Sequence, residues 1–440
     1  MQHAPHKAAT GGRAQFAEDD IGTAVALPYQ EDQCPRQSSL RGQRPRLYAL
    51  ALVFLFAGCS WSAPPQFRLN TEGRDPRSIT RAQTAAIAVT LERLFGTPDE
   101  PAVPQGIDLD INLLKTAAGP IGSDADDRAW GLYRKHCMAC HGLSGDGAGP
   151  NAADLDPYPR DFRNGVFKYT STAATAKPLR DDLARTLQNG IPGTAMPSFA
   201  RLPREQSESL LEYVKYLSIR GETELYLMRL VVDQHAPLPL DRSKVLEQAT
   251  VRADASWRTA ADMALVPPPA PQADTFEELS VSIDRGRELF RTMGAQCFMC
   301  HGYTGKGDGT RTDLCDDWNK LKIGDCLDPP QEQYGDCPKQ SGDCPNFSVR
   351  KNGTVPLSDQ ALASRFQLPY QPLRARDFSL GIFHGGDRPV DIYWRIAAGI
   401  KGTPMPGVIP APGKHGSLSP EDIWHVVNYV RSLHRPNAEP

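Results

Sequence analysis

Between residues 79 and 95 apolar side chains return at the spacing of one helical face: Ile79, Ala86, Ile87, Leu91, Leu94 and Phe95. Gly96 and Pro98 end the run. The pattern predicts one amphipathic helix whose role is to pack against a neighbouring domain. Helical spacing also marks residues 205–220, "EQSESLLEYVKYLSIR", and residues 419–434, "SPEDIWHVVNYVRSLH". Between them, "TELYLMRLVV" and "SKVLEQATVRADASWRTAADMA" read as a helical connector, followed by "ALVPPPAPQAD" at 264–274. Its prolines favour an extended, semi-rigid spacer, which divides the chain into two halves.

A chain of 440 residues is long enough for two or three domains with cores of their own. Hydrophobic residues at 40% and charged residues at 23% match a soluble globular average and argue against wholesale disorder. The net charge of −3 implies no strongly basic face, so nucleic acid is not expected as a partner.

The leader reads differently. Arg41, Arg44 and Arg46 precede an apolar run over 47–57, then Gly58 and Cys59, the order of an export signal. The run is too short to span a bilayer core of roughly 30 Å. Its ending, "FAGC", resembles a bacterial lipoprotein signal, which makes Cys59 the expected lipidation site and a periplasmic, membrane-anchored location the expectation. The forty mostly polar residues ahead of the run suggest a start codon downstream of Met1.

The two halves repeat each other. "CMACHG", "DFRNGVF" and "NGIPGTAMPSF" precede the first terminal helix, and "CFMCHG", "DFSLGIF" and "AGIKGTPMPGV" precede the second. From His to Met the second copy is 49 residues longer, 104 against 55. The excess falls between the His and the "DF" block, which places one insertion at about 310–365. Cys315, Cys326, Cys337 and Cys344 lie in it. In an exported protein they most simply form two disulfides, with three pairings open and an iron–sulfur or redox-sensing role as the alternative. Cys34 would leave with the leader.

Ten Cys and ten His in this length predict roughly 0.005 CxxCH pentapeptides by chance, against two observed. Two thiols three positions apart can add to the two vinyl groups of one haem, while the adjacent His reaches the iron. Zinc would need two further ligands near each motif, and neither half offers them. Cys137, Cys140, Cys297 and Cys300 are therefore the expected thioether residues, and His141 and His301 the proximal ligands. Met196 and Met405, in "GTAMP" and "GTPMP", are the expected distal ligands, with His384, His415 and His425 as rivals in the second half. Flanking glycines allow a tight loop, and Pro197 and Pro406 stiffen its exit.

Over roughly 126–222 and 276–436 both halves resemble class I c-type cytochrome domains. The resemblance implies an all-α fold of two tandem cytochrome c domains, the second with a Cys-rich loop insertion, and two covalently bound c-type haems. It also implies a helix crossing at each haem, using Gly131, Tyr133 and Tyr213 in one half and Gly286, Phe290 and Tyr429 in the other. A carbonyl of the Gly-rich loop after each motif, at Pro150 and at Thr310, is the expected acceptor for the proximal His. The organisation is then a leader over 1–58, an N-terminal segment over 59–125, a first domain over 126–222, a connector over 223–275 and a second domain over 276–440.

With both irons capped by side chains, the expected function is a relay of single electrons between respiratory partners at the outer face of a bacterial membrane. The chain acts alone or as the cytochrome subunit of a redox complex. It needs no catalytic acid or base, so no catalytic residue is assigned and no enzyme activity is expected. A di-haem peroxidase, with one iron open to peroxide, and a structural haem subunit are the alternatives.

Overall fold

Thr80 starts the first helix, α1 (Arg81–Phe95), through a reciprocal cap. Its Oγ1 accepts from Gln83 N at 3.2 Å, and the Gln83 side chain accepts from Thr80 N at 2.9 Å. Ile87, Leu91, Leu94 and Phe95 are buried on one face, as the periodicity requires. The computed structural model describes residues 64–71, 74–271, 273–292, 294–310, 368, 371, 373–409 and 417–434. The leader, Cys59, and Cys315, Cys326, Cys337 and Cys344 lie outside the described residues. Among the described residues no helix is long and apolar enough to cross a membrane.

In the first half, α2 (Ile111–Ala117), α3 (Leu132–His136) and α5 (Arg180–Asn189) pack on the long helix α6 (Arg204–Met228), and α4 (Met138–His141) packs on α3. Among the described residues the one strand ladder is a two-residue antiparallel pair, β1 (Gly122–Ser123) with β2 (Ala129–Trp130), beside isolated bridges at Gly96–Pro101, Thr172–Ala264 and Gly399–Pro406. Helix α6 holds the core: Leu210, Tyr213, Tyr216, Leu217 and Ile219 are at most 1% exposed. Tyr216 also donates to Phe95 O at 2.6 Å, tying α1 to it. The connector does not begin where the first domain was expected to end. Residues 205–220 and 223–228 form one continuous helix, because Gly221 is helical and its α-carbon meets Arg163. An added Cβ there would lie 2.2 Å from Arg163 Cα. Arg163 is fully buried and forks onto Asp161 at 3.0 and 2.8 Å.

After α6 the chain turns through α7 (Arg242–Val245) and α8 (Val251–Arg258), and the second half begins with α9 (Phe276–Arg291) and α10 (Cys297–His301). Helices α11 (Pro389–Ala398) and α12 (Pro420–Ser432) complete its core with Phe290, Tyr393, Trp424 and Tyr429. Here α9 crosses α12 at Gly286, where a Cβ would fall 1.9 Å from His425 O, and Phe290 meets Tyr429 edge-on at 5.3 Å.

The first half departs from that arrangement. Tyr133 does meet Tyr213, at 4.8 Å, but α3 is a single turn, and Gly131 is its left-handed N-cap, packed against Pro120 and Ile121. The residues before the motif are too few and too tightly turned to form a long crossing helix, so the close glycine contact of α6 moves to Gly221.

The proline-rich linker is a strap and not a free spacer. Leu265 N donates to Ser171 O at 2.8 Å on the first half, and Leu265 O accepts from Trp394 Nε1 at 3.0 Å on the second. Pro268 O accepts from Trp424 Nε1 at 2.9 Å. Lys401 adds a direct bridge, donating to Thr172 Oγ1 at 3.0 Å and Ala176 O at 2.6 Å.

Candidate haem sites

Each CxxCH segment forms a short helix, α4 or α10, that ends at a glycine of positive φ, Gly142 or Gly302. The Gly-rich loop that follows turns back onto the helix. Gly147 N donates to His141 O at 3.0 Å and Gly149 N to Cys140 O at 3.0 Å. Gly307 N to His301 O at 2.9 Å and Gly309 N to Cys300 O at 3.2 Å repeat them. These bonds satisfy the carbonyls that every helix leaves open at its C-terminus.

The acceptor for the proximal imidazole nonetheless comes from outside this loop, contrary to the expectation for Pro150 and Thr310. His141 Nδ1 donates to Arg160 O at 3.0 Å, and His301 Nδ1 to Arg376 O at 3.2 Å. Both acceptors immediately precede the "DF" block. The block is held in place because Phe162 N donates to Gly145 O and Phe378 N to Gly305 O, each at 2.8 Å. Asp161 and Asp377 cap its 3₁₀ turn, accepting from Arg163 N and Ser379 N at 2.9 Å. A carbonyl can only accept, so Nδ1 carries the proton and Nε2 keeps a lone pair for a metal.

The Met loops are duplicated with the same fidelity. Ile191 N donates to Met196 O and Ile400 N to Met405 O, each at 3.1 Å. Thr194 and Thr403 hydroxyls donate to Ile191 O and Ile400 O and accept from Met196 N and Met405 N at 3.2 Å. Gly190 and Gly399 make the close approach possible: a Cβ on either would lie 2.6 Å from the Met carbonyl oxygen. Neither these threonines nor the two arginine carbonyls carried a role in the sequence reading. The available signal was the repetition of "RDF" and "GTxMP".

Burial lowers His141 to about 4, and lowers His301 below the usual imidazole value. In both, burial favours the neutral form that a ligand must have. Burial pushes the Cys137 thiol up to about 12 and Cys297 to about 11. None of the four described cysteines is in a disulfide. In the second half a cavity of about 1000 Å³ is lined by Cys297, Cys300, His301, Met405 and apolar walls that include Phe383 and Ile396. Its size, thiol pair, imidazole and thioether fit a covalently held porphyrin. Among the described residues no group of three or more His, Cys, Asp or Glu assembles for a metal, so the zinc set is not formed there.

The structure gathers Cys297, Cys300, His301 and Met405 around that cavity and gives Cys137, Cys140, His141 and Met196 the same local bonds. Of the rival ligands, His425 is engaged elsewhere, its Nδ1 2.8 Å from Ser282 Oγ. His384 lines the cavity, and His415 lies outside the described residues.

The sequence model of the cytochrome c family matches residues 128–218. Residues 128–218 therefore carry a cytochrome c domain, which implies covalently bound haem c and supports electron transfer. Among solved structures, a chain of the reducing HAO-like protein complex of Kuenenia stuttgartiensis is similar at 23% identity. Its TM-score is 0.42, over 69% of this chain and 94% of that one. No curated protein matches the sequence.

Proposed function

We propose that the chain is a di-haem c-type cytochrome that relays single electrons between redox proteins at the outer face of a bacterial membrane, anchored there by a lipid on Cys59. The duplicated attachment geometry supports this reading: one His Nδ1 bond to an "RDF" arginine carbonyl and one threonine-pinned Met loop in each half.

When bound, each haem supplies one-electron chemistry at its iron. The chain's residues do the rest. Cys137 with Cys140, and Cys297 with Cys300, fix the two positions. His141 and His301 present Nε2 in a set orientation. Met196 and Met405 offer thioether sulfur, which favours a higher reduction potential than a second imidazole. Phe383 and Ile396 give the second site part of its apolar lining. Were the His and Met of each half both to hold the iron, no position would remain for a substrate, which favours electron transfer over peroxide chemistry. Membrane respiratory complexes are the proposed partners, and two disulfides among Cys315, Cys326, Cys337 and Cys344 fasten the insertion.

Mature protein isolated from membranes should show a mass increased by two haems and a lipid, together with a ferric sulfur-to-iron absorption band. One haem or none, or absence of that band, would end the di-haem relay reading. Turnover of peroxide by the half-reduced protein would replace it with the peroxidase.

A further inference from the structure

Just after the insertion, the chain of the second half reaches across to the first. Leu368, 9% exposed, packs on the fully buried Ala152, beside Ala148 and Tyr158. Gln371 then commits both ends of its amide to the same segment. Its Oε1 accepts from Tyr158 N at 3.1 Å, and its Nε2 donates to Leu155 O at 2.9 Å. A backbone N–H can only donate and a carbonyl can only accept, so this pair fixes which way the amide faces.

Both joined segments lead to a proximal histidine. Leu155 and Gln371 hold the same place in the two repeats, each five residues ahead of the arginine whose carbonyl accepts from His141 or His301. Beyond each arginine the chain is docked in the same way, Phe162 N on Gly145 O and Phe378 N on Gly305 O. Ahead of it the first segment is tied back to its own motif: Leu155 N donates to Ala152 O, Ala152 N to Gly149 O, and Gly149 N to Cys140 O, at 3.2, 2.9 and 3.0 Å. The second segment is tied to the first by Gln371. A peptide unit is planar, so the aim of a carbonyl depends on the chain at both of its ends. Gln371 therefore bears on the carbonyls of Arg160 and Arg376 together.

We infer that Gln371 is a positioning residue for both haem sites: by bonding Leu155 and Tyr158 it locks the two carbonyl-bearing segments to each other, so that the orientations of His141 and His301 are set jointly. This rests on the di-haem reading and adds that the two sites share one support across the boundary between the halves. The bond from Nδ1 makes a ligating imidazole more basic, which favours the ferric state. Loosening both carbonyls therefore raises both reduction potentials, whereas a residue that served its own half alone would move one.

The test is an optical redox titration of the full-length haem protein, comparing wild type with Gln371→Met, Gln371→Ala and the exposed control Arg204→Gln. Met keeps the length of Gln without its amide. The first-site wave is identified as the one displaced by Met196→His, and the second-site wave by Met405→His. In Gln371→Met both waves should move to higher potential, the ferric-to-ferrous ratio at fixed solution potential falling on the order of threefold at each. Gln371→Ala should do the same, and the control should leave both in place. Hydrogen exchange supplies a readout that does not involve the iron. Tyr158 N should exchange slowly in wild type and faster in Gln371→Met, while amides inside α6 keep their protection. If neither variant accumulates, the wild-type exchange of Tyr158 N still decides whether the bridge exists. Any other movement of the two waves, or fast exchange of Tyr158 N in wild type, would overturn the inference and leave the relay intact. Wild-type protein with fewer than two haems would overturn the reading beneath it.

Discussion

The imidazole of His301 lies stacked on Phe378, with ring centroids 4.6 Å apart and planes 22° apart, and His141 repeats the contact on Phe162 at 4.5 Å and 19°. In both halves the arginine two residues before the phenylalanine supplies the carbonyl for Nδ1. One three-residue segment thus sets both the plane and the tautomer of the ring.

Removing that support should be felt twice. Phe162 is 9% exposed, and Phe162→Ala should cost about 3 kcal/mol of stability in the first half. It should also broaden the distribution of axial orientations seen by electron paramagnetic resonance. Phe378 is only half-buried, so Phe378→Ala should cost less. Denaturant unfolding of the two variants gives the comparison, and the reverse order would count against this account of the packing.

Gly385→Ala should loosen the boundary between the halves without unfolding either. The new methyl would meet Tyr169 at 2.5 Å in a left-handed conformation, a penalty of about 1–3 kcal/mol. Hydrogen exchange should accelerate at Leu265 N, which bonds Ser171 across the strap, while amides inside α6 keep their protection. Unchanged exchange at Leu265 would show that Tyr169 yields freely.

The Lys401 bridge makes the boundary sensitive to alkali. Burial lowers its amine to about 8 from 10.5, with Lys177 acting in the same direction and Asp182 against it. Between those two values the unfolded chain holds a proton that the folded chain has released, so this residue's contribution to stability rises with pH across that interval. Wild type should gain on Lys401→Met as pH is raised from 8 towards 10.5. Parallel pH profiles for the two proteins would contradict the assigned burial.

At the helix crossing of the second half there is no room for a side chain. Gly286→Val would drive a Cβ to 1.9 Å from His425 O and push α9 off α12. The expected result is collapse of the second half, with haem retained at Cys137 and Cys140 alone. Full occupancy of both attachment motifs would show that the crossing is not required for the second site.

Much of each candidate site was legible because it is local. The spacing of Cys137, Cys140 and His141 along one turn follows from chain geometry, as does the helix over the periodic apolar run at 79–95, and repetition marked the Met loops. The imidazole acceptors were not legible: they lie 19 residues from His141 and 75 from His301, and every residue carries a carbonyl. No residue type distinguishes Arg160 from Pro150 as an acceptor. The fold makes the choice by docking the following phenylalanine, Phe162 N on Gly145 O and Phe378 N on Gly305 O, which brings the arginine carbonyl to the ring.

The sequence by itself determined the duplicated motifs, the helical segments and the place where the second copy is interrupted, because covalent spacing and apolar periodicity are written along the chain. Only the tertiary structure decided that Gly131 would cap one turn while Gly286 seats a helix crossing, and that the linker would strap the halves together. It alone placed the Gln371 amide on Leu155 and Tyr158 of the other half. Those outcomes depend on which surfaces meet once the apolar faces are buried, a choice made by packing and backbone satisfaction over the whole molecule.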